Sequence, residues 1–188
     1  KRWTAIEAAV DVIYEDADYT VTYLSFGEWG ETTWFRNKHT GNEYELYLYG
    51  EIVNKVDSAF YISSAHRILR IDNPEALAPC DFHRFYHAVQ NAGYREGSTS
   101  LAGIQVVYGD SIKQYYREDE FLPSTRIATS FTCNNELYHL CIDSASTHIS
   151  RLDNGEMVPV KTVGGTLSVL DGCYSFRQII VTVCSSFV

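Results

Sequence analysis

Basic residues are scarce in this chain: 15 Lys and Arg stand against 24 Asp and Glu, a formal net charge of −9. Phosphate binding needs clustered cations, so the expectation is no nucleic-acid partner. Long apolar runs are missing too. None approaches the ~18 residues that a membrane-spanning helix requires, so no membrane insertion is expected. The five cysteines (Cys80, Cys133, Cys141, Cys173 and Cys184) are odd in number and form no CxxC pair. They make neither a disulfide framework nor a zinc pattern, and read as small buried thiols. No phosphate-cradling glycine loop, calcium loop or Ser-His-Asp signature is present.

Aromatic residues are plentiful, with 14 Tyr, 9 Phe and 3 Trp in 188 residues. Aromatic and β-branched side chains fit a pleated, half-buried surface, which points to sheet. With 45% hydrophobic and 21% charged residues the chain can build a core. The prediction is a single β-rich domain over 1–188, or part of a longer repeat protein, since the chain opens on Lys1 and ends inside a strand-like run. An acidic, Tyr-rich composition leans towards a secreted or periplasmic location.

Periodicity locates the elements. "RWTAIEAAVDVIYEDA" predicts an N-terminal helix, and "DYTVTYLSF" and "TTWFRN" predict strands. "YELYLY" follows the turn "KHTGNE", with Tyr44, Leu46 and Leu48 on one face. "EIVNKVDSAFYISS" and "HRILRID" read as two further strands. "DFHRFYHAVQNAG" (81–93) predicts a helix, from an N-capping Asp81, an apolar stripe and a terminal Gly93. "SLAGIQVVYG" reads as a strand and "DSIKQYYREDEF" as a short helix or loop. From Arg126 onward "RIATSFTC", "ELYHLCI", "THISRL" and "MVPVKTV" predict a four-stranded meander, with turns at Asn134-Asn135 and Asp153-Asn154-Gly155.

One phrase occurs twice. "SAHRILRIDNPE" and "STHISRLDNGE" share Ser, His, Arg, an apolar residue, Asp, Asn and Glu at a spacing of about eighty residues. Meanders of this length repeated at about twice ~40–45 residues resemble β-propeller repeat proteins, through "SAHRILRIDNPE" and "NELYHLCIDSASTHISRLDNGE". The resemblance covers about half of the chain and implies blade-like sheets. The fold class is therefore all-β, built of antiparallel four-stranded meanders in propeller-like repeats, with one or two short helices. The alternative is α+β.

Candidate chemistry falls in four places. His83 and His87 lie four apart on the 81–93 helix, a spacing that can chelate a metal if His66 or Asp72 supplies a third ligand. Cys133, His139, Cys141 and His148 look like a soft-metal set. A two-residue turn at Asn134-Asn135, however, would pair Cys133 with Glu136 and Phe131 with Tyr138, which puts Cys133 on one face and His139 and Cys141 on the other. "REGSTS" and "REDEF" are similar to the STS and ExE elements of ADP-ribosyltransferases. That resemblance implies an enzyme using NAD, with Ser98, Thr99 and Ser100 shaping the nicotinamide pocket, Glu118 and Glu120 as the acidic pair, and Arg70 on the phosphates. The same segments also read as a polar turn and a solvated acidic run. Lastly, Trp29, Trp34, Tyr47 and Tyr49 form an aromatic set suited to recognising a sugar or a protein, or to packing within a sheet.

The sequence is thus read as a non-catalytic binding module for a carbohydrate or protein partner, with no cofactor and no resident metal. The alternatives are an ADP-ribosyltransferase-like enzyme using NAD and a structural module of a larger chain.

Overall fold

A computed structural model describes residues 11–25, 31–46, 52–80, 102–109 and 125–164. In chain order these form β1 (Asp11–Glu15), β2 (Tyr19–Ser25), β3 (Glu31–Asn37), β4 (Glu43–Leu46), β5 (Ile52–Val56), β6 (Ala59–Ser64) and β7 (Arg67–Ile71). There follow β8 (Ala78–Cys80), β9 (Gln105–Tyr108), β10 (Arg126–Cys133), β11 (Glu136–Ile142), β12 (Thr147–Asp153) and β13 (Glu156–Gly164). Every pairing is antiparallel. The class is all-β; among the described residues the only helical piece is a single 3-10 turn, Pro74–Ala76.

The strands divide between two compact units. The first holds one sheet in the order β1-β2-β3-β4-β8. Its alternation places Val21, Phe35 and Tyr44 in one cross-strand row and Tyr23, Thr33 and Leu46 in the next. Val21, Phe35 and Leu46 are fully buried there. The second unit holds two four-stranded sheets, β5-β6-β7-β9 and β10-β11-β12-β13. Between them Ile68 packs with Ile127 and Cys141, flanked by Tyr61, Val107, Tyr108, Leu152 and Met157. The other face of the β10–β13 sheet carries Phe131, Leu140 and Ile149, with the Phe131 and Tyr138 rings stacked at 5.9 Å.

The repeated phrase now has a structural meaning. Both copies run from the turn after a second strand, along a third strand, β7 or β12, and into the following turn. The two sheets also meet at their first turns, where Asn135 Nδ2 donates to Asp57 Oδ1 at 2.7 Å. The copies diverge at one residue. After Asp153, Asn154 (φ 50°) and Gly155 (φ 83°) take the left-handed backbone of a two-residue hairpin turn, and β13 returns beside β12. The matching position after Asn73 is Pro74, whose ring forbids a positive φ. That hairpin cannot close. The chain instead enters the 3-10 turn, gives β8 to the other unit's sheet, and supplies β9 as the fourth strand only at Gln105.

Two expectations are corrected. Residues 11–15, assigned to the N-terminal helix, are strand β1 paired with β2. Val12, Ile13 and Tyr14 are β-branched or aromatic, and the open edge of β2 offers them a ladder, which outweighs the alanine-rich stretch before them. The stretch 51–64, taken as one strand, contains the β5–β6 hairpin. Its turn is Asp57-Ser58, with Asp57 at φ 54°; lacking glycine or asparagine, it escapes the usual hairpin signature. The helix expected at 81–93 and the short helix or loop at 110–121 lie outside the described residues. The β10–β13 meander and its turns fall where the sequence placed them.

Candidate functional site

An open recess of about 450 Å³ lies in the first unit, lined by Gly41, Asn42, Glu43, Tyr44, Pro79 and Cys80. Its position follows from pairing: β8 joins β4 with Glu43 opposite Cys80 and Tyr44 opposite Pro79. Asn37 fixes the loop that brings Gly41 and Asn42 to the rim. Its side-chain oxygen accepts from the His39 and Thr40 amides at 2.9 and 3.1 Å, and its amide donates to Glu75 Oε1 at 2.9 Å. Glu75 belongs to the 3-10 turn just before β8, so a single carboxamide ties the two walls of the recess together. Gly41, at φ 76°, closes the loop by donating its N–H to the Asn37 carbonyl at 2.8 Å.

The chemistry around the recess is that of a carboxylate row. Glu43 and Glu45 share one face of β4, with Cys80 opposite Glu43 and Trp34 opposite Glu45. Among the described residues the cation paired with Glu43 is Arg36, with Nε 4.0 Å away on a largely exposed side chain, too far and too well solvated to bind the carboxylate firmly. Glu43 therefore keeps acceptor capacity at the rim. The Cys80 thiol is pushed up to about 12 by burial, then by its hydrogen bond to Glu45 and the charge of that carboxylate. It stays a neutral thiol and is a poor nucleophile.

A second polar cluster is sealed inside the other unit. The β10–β11 register is the one expected of a two-residue turn, with Cys133 opposite Glu136 and Phe131 opposite Tyr138. Carried further, it sets Ser130 opposite His139, and β12 adds Ser150 opposite His139 and His148 opposite Cys141. His139 is 0% exposed, and its Nδ1 lies 2.7 Å from Ser130 Oγ. Burial pulls its pKa down to about 4, so the ring is neutral at pH 7. The Cys141 thiol is raised to about 11, again chiefly by burial. His148 Nδ1 stands 3.3 Å from Ser146 Oγ and 3.7 Å from Asp143 Oδ2. Asp143 itself accepts the Ala145 and Ser146 amides at 2.7 Å, which holds its carboxyl below the usual range. The cluster has the residue types of nucleophilic catalysis, but its thiol and imidazole are buried and uncharged.

Cys133 faces away from His139 and Cys141, as the register required, and the soft-metal set is not brought together. Among the described residues no three His, Cys, Asp or Glu side chains converge in a metal-holding geometry. Trp34, one of the four aromatic candidates, is 2% exposed beside Glu45. Trp29, Tyr47 and Tyr49 lie outside the described residues, as do His83, His87, Ser98, Thr99, Ser100, Glu118 and Glu120. Of the NAD-reading residues Arg70 alone is described. It binds Asp72, with Nε and Nη2 both 2.8 Å from Oδ1, and lies over the Tyr61 ring at 5.9 Å.

Sequence reasoning did not single out Asn42, Glu43, Pro79 or Cys80 as site residues, because the β4–β8 pairing joins segments separated by three other strands. The Ser130–His139–Ser150 row, by contrast, follows from the turn lengths alone. No helix among the described residues is long and apolar enough to cross a membrane. Comparison with protein-family models, with curated proteins and with solved structures finds no match.

Proposed function

We propose that the chain is a non-catalytic binding module that takes a carbohydrate or protein partner at the β4–β8 recess. The observation that carries this reading is the open recess itself, with Asn42, Glu43 and Tyr44 from the β4 side and Pro79 and Cys80 from β8 in its lining. A hydroxyl-rich ligand suits such a lining: carboxylate and amide oxygens accept its hydroxyls. Asn37 and Glu75 hold both walls in place beforehand, which lowers the ordering cost of binding. Binding is favoured over catalysis because Cys80, Cys141 and His139 are held in their neutral forms.

On the same footing we infer that the two four-stranded sheets of the second unit are propeller-type blades, supported by the equivalent places of the two repeated phrases. An exported location goes with the reading, supported by the acidic, tyrosine-rich composition.

Titration calorimetry of the purified chain against a panel of neutral and acidic oligosaccharides and a panel of peptides tests the reading. One class is expected to bind. Glu43→Gln, which removes a charged hydrogen-bond partner worth ~1.5–3 kcal/mol, should weaken it about tenfold or more. Binding that is indifferent to both Glu43→Gln and Tyr44→Ala would put the site elsewhere.

A further inference from the structure

The interior row Ser130–His139–Ser150 plays no part in the recess, yet all three of its polar side chains are buried. His139 and Ser150 are both 0% exposed and Ser130 nearly so. Ser130 uses the hydroxyl to occupy His139 Nδ1. On the other side of the ring, Nε2 is buried with no hydrogen-bond partner, although Ser150 stands directly opposite in register. A neutral ring tolerates this, since one unsatisfied nitrogen costs a limited desolvation term. An imidazolium does not: it carries two N–H donors and a full charge, and only one acceptor is in place.

The groups facing the ring offer no compensation. Its own sheet presents Ile127 and Ser130 from β10, Cys141 from β11, and His148, Ser150 and Leu152 from β12. β13 adds Met157 and Pro159, opposite Leu152 and Ser150. The sheet packed on this face presents Ile68, Tyr61, Val107 and Tyr108. Arg70 shares a face with Tyr61 but is held to Asp72, and Arg126 at the start of β10 is exposed. Asp143, with Oδ2 3.7 Å from His148 Nδ1, is occupied by its own turn. Among the described residues no carboxylate contributes to the ring's environment, where burial is the cause of the lowered pKa.

We propose that His139 makes the β10–β13 meander an acid-opened element, a latch that is closed while the ring is neutral and released reversibly when the ring takes a proton. The direction follows from linkage. The unfolded or opened ring titrates near 6.5 and the closed one at about 4, so the open form binds the proton first. Closure is fully stable above pH ~6.5, weakens as the pH falls through that window, and has lost roughly 300-fold in its equilibrium constant below pH ~4.

The test is hydrogen exchange of the full chain, read peptide by peptide between pH 7 and 4.5 and corrected for intrinsic exchange rates. Opening of the β10–β13 peptides is expected to rise about 60-fold over that range. The rise should vanish in His139→Gln, which keeps a polar neutral side chain, and persist in His148→Gln. Flat protection in the wild type overturns the proposal, and so does the same rise in His139→Gln. Should His139→Gln be open at every pH, the ring carbon proton of wild-type His139, followed by NMR, decides. A ring that stays neutral until protection is lost upholds the latch; one that titrates near 6.5 while the meander is still protected sinks it.

Discussion

Gly109 gives the sharpest stability prediction, because its cost can be worked from contacts. The residue follows β9 at φ 88°, and a Cβ built on it would sit 2.2 Å from the His66 carbonyl oxygen and 3.1 Å from the Arg67 Cα. Both are backbone atoms, of the β6–β7 turn and the first residue of β7, and cannot swing aside as a side chain would. Gly109→Ala therefore incurs ~1–2 kcal/mol for the left-handed backbone and must also push β9 away from the turn. The residue just before it, Tyr108, pairs with Ile68 and packs on the Ile68–Ile127–Cys141 cluster. Losing one ladder hydrogen bond and part of that burial adds ~2–3 kcal/mol. Gly155→Ala is the control in the same unit: its φ is 83°, but its Cβ would meet only the Val107 carbonyl oxygen at 3.8 Å, an ordinary contact. It should cost about 1–2 kcal/mol, the backbone term alone. Urea unfolding of both variants, followed by circular dichroism, should place Gly109→Ala ~2–3 kcal/mol below Gly155→Ala. Equal midpoints would refute the close approach of β9 to the β6–β7 turn.

Three further outcomes follow from the same geometry. Gly155→Pro forbids the positive φ of the β12–β13 turn and should cost ~3 kcal/mol or more, with exchange protection lost first in β13; a mild effect would undo the explanation of why the chain leaves its sheet at Pro74. Ser130→Ala strips His139 Nδ1 of its 2.7 Å partner and should cost ~1–3 kcal/mol in urea unfolding at pH 7, whereas Ser130→Thr should cost less. Native alkylation at pH 8, mapped by mass spectrometry, should leave buried Cys141 unmodified and label half-buried Cys80 only slowly, since desolvation raises their thiols to about 11 and about 12; rapid labelling of either would contradict the environments described.

Local pattern made much of the fold legible. Alternating residues and Asn-Asn or Asn-Gly turns placed β10 to β13 and fixed the register that separates Cys133 from His139. The hairpin at Asp57-Ser58 was not legible, because an aspartate in left-handed backbone leaves no glycine to mark it. Nor was β1: an alanine-rich lead-in suggests helix, and the pairing edge that overrides it is supplied by β2. The recess was hidden for a different reason. Its walls, at Glu43 and Tyr44 and at Pro79 and Cys80, meet only because Pro74 diverts the chain into the other unit's sheet, and that is a long-range consequence of one turn residue. The repeated "DN-x-E" phrase marked the equivalent strands, while the Pro-for-Gly difference inside it is what makes their continuations differ.

The most direct test of the binding-module reading is chemical-shift mapping of the labelled chain against the best ligand from the saccharide and peptide panels. The account predicts saturable shifts centred on Asn42, Glu43, Tyr44 and Cys80, with the His139 row unmoved. Shifts confined to other strands, or none with any ligand, would contradict it.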